Sequence, residues 1–270
     1  NGALSGISRD GEHYFYENVL ESHGDNRRWK WHYCPCCPTN IARLIASLGS
    51  YFYTTRHDEL AVHLYGANTA EAVLGETVVR LEQQTRYPWD GDIRLSVSPA
   101  APKRFALRLR IPGWCREAKF SVNGAFVPVE VTKGYATIER EWRAGDEVRI
   151  SFAMPVERLY ANPEVTEDAG RVALKRGPVV YCLEEIDNGF APQRLRLAPG
   201  AAIETAFDPD LLGGAMTLSG GAVKVSDAGW EGALYRSSPA TLEPTRFKAI
   251  PYHLWANRAA GGMLVWLLEA

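Results

Sequence analysis

No apolar run in the chain approaches the ~20 residues that a membrane-spanning helix requires, so no such span is expected within these 270 residues. Charge of one sign is equally scarce. Thirty Lys and Arg stand against 32 Asp and Glu, scattered along the chain, for a net charge of −2. Without a basic stripe, a nucleic-acid partner is not expected. Disorder is excluded by composition, since 46% hydrophobic and 23% charged residues can build a sizeable core. The sequence opens at Asn1 with neither a charged n-region nor an apolar h-region, so these residues contain no secretory leader; a cytoplasmic location is expected, with a leader upstream of Asn1 left open. Helical periodicity is also rare, with one convincing helix in the first sixty residues and almost none after.

What is present is concentrated. The run Cys34-Pro35-Cys36-Cys37-Pro38-Thr39-Asn40 places three of the five cysteines in four positions, just before that helix, Ile41 to Tyr53. A thiol at a helix N-terminus meets unpaired backbone N–H groups and the positive end of the macrodipole, which favours the thiolate, the form that attacks electrophiles and binds metal. Pro38 suits a first helical turn, and Ile41, Leu44, Ile45, Leu48 and Phe52 recur at helical spacing, which predicts a buried stripe. The run is read as a metal or catalytic cluster. A disulfide from Cys36 or Cys37 to Cys115 or Cys182 is the competing structural reading, and Cys115 and Cys182 are otherwise expected to be buried, inert thiols. Zinc usually takes four ligands, and the run supplies two or three.

Beyond Arg56 the pattern is β. Ala61 to Tyr65, Thr77 to Glu82, Ile93 to Val97, Phe105 to Ile111 and Val148 to Phe152 alternate between apolar and polar residues, separated by Asp90-Gly91, Asn123-Gly124, Lys133-Gly134 and Gly145-Asp146. Leu107, Leu109 and Ile111 against Arg108 and Arg110 give one dry and one wet face, as in an antiparallel sandwich strand. Met154-Pro155 and Asn162-Pro163 mark a seam, after which Arg171 to Glu185, Gln193 to Leu197, Ala222 to Val225 and Met263 to Leu268 continue the pattern.

Together these residues resemble glycoside hydrolase family 127, the β-L-arabinofuranosidase-like proteins once grouped as a domain of unknown function. The cysteine run with Ala42-Arg43 is similar to the family's Cys-x-Cys-Cys-Pro-Pro-Asn signature. Tyr16-Glu17-Asn18-Val19-Leu20, Pro112-Gly113-Trp114, Val122-Asn123-Gly124, Trp142-Arg143-Ala144-Gly145-Asp146, Arg176-Gly177-Pro178 and Ala249-Ile250-Pro251-Tyr252 follow in family order. The resemblance implies a mainly β chain: two antiparallel β-sandwiches preceded by a short helical segment left from an (α/α)6 barrel. The expected divisions are 1–56 for the barrel end, 57–158 plus 261–270 for the first sandwich and 159–260 for the second, with Met263 to Leu268 returning to the first. It further implies a retaining glycosidase with a cysteine nucleophile held on Zn²⁺. Cys36 would be nucleophile and zinc ligand, Cys37 a second ligand, and Tyr16 and Cys34 would line the sugar pocket.

The chain departs from the family in ways that bear on activity. The family's other zinc ligands, a Glu-x-Cys pair, and its glutamate general acid/base lie upstream in the barrel. Only 33 residues precede Cys34, too few for about a dozen helices of ~11–12 residues each. Glu12, Glu17 and Glu21 are the nearby carboxylates, for which a solvated face is the ordinary reading. Val19 and Thr39 replace family prolines at positions that supply no ligand. The expected partners are a glycoside or oligosaccharide substrate and the upstream barrel of the same protein, with a homodimer left open. The isolated chain is expected to be inactive. The alternative is a non-catalytic β-sandwich module, carbohydrate-binding or structural, for which Trp89, Trp114, Trp142 and Trp230 near turns are the candidate platform.

Overall fold

The computed structural model describes residues 2–31 and 33–270. The chain is mainly β and divides into two compact units, Ala42–Pro155 and the segment through Ile41 together with Val156–Ala270. No helix among the described residues is long and apolar enough to cross a membrane.

In the unit Ala42–Pro155 the alternation seen in sequence becomes two sheets. A five-stranded sheet runs Glu130–Thr132, Tyr135–Trp142, Lys103–Arg110, Glu59–Val62, Tyr53–Arg56. A six-stranded sheet runs Asn68–Leu74, Thr77–Thr85, Asp92–Pro99, Asp146–Phe152, Ala118–Val122, Ala125–Phe126. Leu60, Leu107, Leu109 and Trp142 from the first share one core with Leu81, Leu95, Val148 and Ile150 from the second. Trp142 is fully buried and donates its Nε1–H to the carbonyl of Phe105 at 3.1 Å. Two Xaa-Gly turns act as the sequence requires: Asn123 and Gly124 (φ 51° and 81°) and Lys133 and Gly134 (φ 50° and 77°) both adopt the left-handed pair that closes a two-residue hairpin. One pairing departs from an antiparallel pattern, since Glu59–Val62 runs parallel to Lys103–Arg110. Tyr53–Arg56 pairs with Glu59–Val62, so it belongs to this unit and not to a helical segment ending at residue 56.

The other unit is built on a ten-stranded sheet. Its order is Glu21–His23, Gly262–Leu264, Val179–Glu184, Leu242–Pro251, Ala215–Val225, Leu195–Leu197, Leu267–Glu269, Arg171–Arg176, Val156–Leu159, with Ile203–Asp208 paired to Ala215–Val225 off this path. The apolar run near the C-terminus corrects one expectation. Residues 261–270 do not return to the first β unit. Gly262–Leu264 lies between Glu21–His23 and Val179–Glu184, and Leu267–Glu269 lies between Arg171–Arg176 and Leu195–Leu197. Interior positions of this large sheet satisfy the two-sided burial of Met263, Leu264, Val265 and Leu267. Residues 159–260 are therefore not an insertion between strands of the first unit.

A buried ion triad joins the turn at residues 252–258 to this sheet. Arg258 donates to Glu184 at 2.6 Å and to Asp187 at 2.9 Å, and the Ala256 N–H donates to the other oxygen of Glu184 at 2.8 Å. The hydrogen bond to Asp187 is the main reason the guanidinium is held above its ordinary range. Nearby, burial pushes the His253 imidazole down to about 4, with the Arg9 charge adding to the shift. An unfolded histidine titrates near 6.5. The unfolded state therefore binds the extra proton first, and folding loses about 1.4 kcal/mol per pH unit as pH falls from about 6.5 toward 4, with no penalty above that window. Urea unfolding of the wild type and His253→Gln at pH 7.5 and 5 is expected to show a steeper loss in the wild type. Parallel pH profiles would contradict a neutral, half-buried His253.

Candidate functional site

The helix carrying the cysteine run spans Cys36–Ser47 and continues as a 3₁₀ turn over Leu48–Tyr51. Cys36 opens it, and Pro38 sits in its first turn, where a missing N–H is not needed. The start of the helix is fixed by two side chains, Thr39 and Asn40. The Thr39 hydroxyl donates to the carbonyls of Pro35 (2.9 Å) and Cys36 (3.1 Å), and the Asn40 side-chain amide donates to the carbonyl of Cys36 (2.8 Å). Thr39 in the family's proline position thus supplies a hydroxyl that holds the backbone bearing the thiols.

The expected buried stripe on this helix is not buried. No residue of the helix is buried, and Leu44 and Ile45 are 46% and 49% exposed. Periodicity locates an apolar face, but burial also needs an opposing surface.

All five cysteines are free. The three sulfurs of the run stay accessible or half-accessible, and the Cys36 Sγ lies 3.6 Å from Cys34 Sγ and 3.7 Å from Cys37 Sγ. Two thiolates on one tetrahedral zinc, each at ~2.3 Å, stand about 3.8 Å apart. Either pair therefore fits one edge of a zinc tetrahedron without rearrangement. The three do not converge equally. Among the described residues, the one set of three candidate ligands with all donor atoms within 4.8 Å of one another is Asp10, Glu12 and His13, an acidic surface turn. The thiol cluster is accordingly a two-ligand edge with a third sulfur beside it.

Tyr16 joins this cluster. Hydrogen bonds with the thiols of Cys37 and then Cys34 hold its phenol above the ordinary range. Its segment is pinned from the β sheet: the Tyr252 hydroxyl donates to the carbonyl of Val19 at 2.8 Å, and the Val265 N–H to that of Leu20 at 2.9 Å. Tyr14 and Trp29 exchange backbone hydrogen bonds at 2.9 and 3.0 Å, and Phe15 stacks on Trp255 at 4.8 Å. These contacts frame a hollow of about 230 Å³ lined by Tyr16, Glu17, Asp25, Arg27 and Trp29 among others. Of the three nearby carboxylates, Glu17 shares this hollow with Tyr16. Glu12 sits in the Asp10–His13 turn, and Glu21 lies 3.7 Å from His23 and 3.9 Å from Arg171. Trp29 belongs to the alternating aromatic and basic stretch Arg28-Trp29-Lys30-Trp31, the one sequence signal that points to it.

The remaining candidates resolve differently. Cys182 is buried, which pushes its thiol well up, whereas Cys115 is half-buried, raised mainly by desolvation, with its Sγ 3.1 Å from the carbonyl of Glu117. Of the four tryptophans, Trp89 is half-buried, and the other three do not supply an open platform. Trp142 is core, Trp114 packs on Tyr87 and Phe152, and Arg236 covers Trp230 at 4.3 Å.

Three family models match consecutive parts of the chain: the β-L-arabinofuranosidase GH127 catalytic domain over residues 1–50, the GH127 middle domain over 59–154 and the glycoside hydrolase family 127 C-terminal domain over 156–268. A non-reducing end β-L-arabinofuranosidase from Bifidobacterium longum subsp. longum is 40% identical across 98% of this chain and 43% of its own length. The crystal structure of a GH127 β-L-arabinofuranosidase from Geobacillus stearothermophilus T6 superposes with a TM-score of 0.94 at 45% identity, covering all of this chain and 45% of that one. The GH127 β-arabinofuranosidase BT3674 gives 0.93 at 37% identity, covering all of this chain and 44% of that one. The chain spans less than half the length of these relatives. Over the part that it does span, it belongs to glycoside hydrolase family 127.

Proposed function

We propose that the chain is the C-terminal portion of a zinc-dependent, retaining glycoside hydrolase that acts on β-L-arabinofuranosides with Cys36 as its nucleophile. The observation that carries this reading is the accessible Cys36 sulfur, flanked at 3.6 and 3.7 Å by two further thiols and by the Tyr16 hydroxyl bonded to both of them. The relatives named above as β-L-arabinofuranosidases support the substrate class.

Cys36 and Cys37 would hold the zinc, which when bound keeps the thiol ionised at neutral pH. The Cys36 thiolate attacks the anomeric carbon; a sulfur–carbon bond forms as the glycosidic carbon–oxygen bond breaks, and the leaving oxygen takes a proton from a general acid. Water, deprotonated by that same acid in its now basic form, then attacks the anomeric carbon opposite the sulfur, on the face the leaving group vacated; the carbon–sulfur bond breaks, the Cys36 thiolate returns, and two inversions retain the anomeric configuration. Tyr16 donates toward the thiols and orients the pocket wall. The general acid and the remaining zinc ligands are proposed to lie outside these 270 residues, in the barrel that the exposed Leu44 and Ile45 face would meet. We also take the five- and six-stranded sheets, which share one core, as the two layers of a β-sandwich.

The test is metal content and turnover with and without an upstream barrel. The 270-residue chain alone is expected to show no arabinofuranosidase activity. Co-expressed with a GH127 barrel, it is expected to carry about one zinc per chain. Turnover by the isolated chain that is lost in Cys36→Ala would refute the missing-acid claim, and a folded complex with no metal would refute the zinc assignment.

A further inference from the structure

The outer face of the six-stranded sheet carries a groove of about 550 Å³, within the size range of ligand sites. Strand register explains its composition. Gln84 pairs with Arg94, Arg94 with Arg149, Arg149 with Ser121, and Ser121 with Phe126. Partners in register share a face, so these five side chains form one row across five strands, roughly 19 Å long at ~4.8 Å per strand. A second row beside it pairs Asp92 with Ser151 and Ser151 with Lys119.

Two features of the row are unusual for a merely solvated face. Arg94 and Arg149 stand directly opposite each other, where like charges repel. A single carboxylate, Glu147, accepts the Nε–H of both, at 2.6 Å from Arg149. Hydrogen bonds from Arg149 and then Arg94 hold Glu147 below the usual carboxylate range. Both guanidiniums are more than half exposed, and neither makes a hydrogen bond through its terminal amino groups among the described residues. At the end of the row, Phe126 leaves 72% of its surface in solvent on the edge strand Ala125–Phe126. Of the three cations in the groove wall, Lys119 is paired with Glu117 at 3.0 Å, which leaves Arg94 and Arg149 sharing the single carboxylate of Glu147, with Asp92 in the second row and an apolar ring at one end.

We propose that this groove is an accessory site for a carboxylate-bearing glycan, distinct from the thiol cluster. The free guanidinium edges match a uronate carboxylate in bidentate geometry. Ser121 and Ser151 present hydroxyls for sugar hydroxyls, Gln84, whose amide nitrogen donates to Glu82 at 2.8 Å, presents its amide oxygen, and Phe126 offers a flat apolar face to a sugar ring. The occupant is an acidic chain and not a neutral one because a second anion relieves the Arg94–Arg149 repulsion that Glu147 alone offsets. The choice of a glycan rests on the glycosidase reading, but the binding does not require catalysis.

Calorimetric titration of the 270-residue chain with a short oligogalacturonate and with its fully methyl-esterified form tests this, since esterification replaces each carboxylate by a neutral methyl ester on the same sugar backbone. The acid is expected to bind at least about tenfold tighter than the ester, as one or two charge-assisted hydrogen bonds imply. Phe126→Ala and Arg149→Gln are each expected to weaken binding about five- to tenfold with an unchanged melting curve. No binding, equal affinity for acid and ester, indifference to both substitutions, or equally tight binding of a single-stranded oligonucleotide would overturn the proposal. Because the isolated chain is used, failure of the nucleophile assignment leaves this result untouched, and the reverse also holds.

Discussion

Replacing Cys36 by alanine in the chain joined to a GH127 barrel is expected to lower kcat for a β-L-arabinofuranoside by on the order of 10⁵-fold, as loss of a covalent nucleophile does elsewhere. Three neighbouring substitutions separate nucleophile from scaffold. Cys37→Ala removes a proposed ligand but leaves the attacking sulfur, so it should lose metal and activity together, and excess zinc should restore part of both. Cys36→Ala should not be rescued by zinc at any concentration. Tyr16→Phe keeps both thiols and removes only the hydroxyl bonded to Cys37 and Cys34, so a loss of about 10- to 100-fold is expected with zinc retained. A Cys36→Ala protein with more than about 1% of wild-type turnover would remove this sulfur from the chemistry.

The second large effect concerns stability. Arg258→Ala is expected to destabilise the unit containing the ten-stranded sheet by about 3 kcal/mol, because it leaves the buried Glu184 carboxylate without its ion-pair partner and Asp187 with only Lys248 at 3.9 Å. Both carboxylates are under a tenth exposed, and Glu184 also fixes the Ala256 N–H. The triple change Arg258→Met, Glu184→Gln, Asp187→Asn removes the charges together and should recover most of the loss, since a buried ion pair and a packed neutral set are often close in free energy. Urea unfolding followed by tryptophan fluorescence reads both. If the single substitution costs under about 1 kcal/mol, the triad is solvated and contributes as a surface pair does.

Local chemistry explains what could be read from the residues alone. The cysteine run with Pro38 marks a helix start because a helix N-terminus has specific needs, but the helix spans Cys36–Ser47 and not Ile41 to Tyr53, so Cys36 and Cys37 lie in its first turn and not before it. Phe105, Leu107 and Leu109 against Arg108 and Arg110 define a half-buried strand, and Asn123-Gly124 and Lys133-Gly134 define hairpins, because period and φ preference are written in neighbouring residues. Partner choice is not local. Met263 to Leu268 announces two-sided burial but cannot say in which sheet, and the answer depends on strands up to about 240 residues away in sequence, at Glu21–His23. Leu44, Ile45 and Leu48 likewise specify an apolar face and leave its cover unstated. The row from Gln84 to Phe126 was illegible for the same reason: each member reads as an ordinary polar or edge residue until register places them side by side. At the thiol site, spacing drew attention to Cys36, whereas the contribution of Thr39 required the path of the backbone.

The central claim is that the Cys36 sulfur bonds to the sugar. Mixing the barrel-joined chain with a β-L-arabinofuranoside, quenching in acid within one turnover and sequencing the peptides by mass spectrometry measures that directly. The account predicts one pentosyl unit attached through sulfur at Cys36, absent from Cys36→Ala and from unreacted protein. The same pentosyl mass found on a carboxylate, on Cys34 or on Cys37 would contradict it.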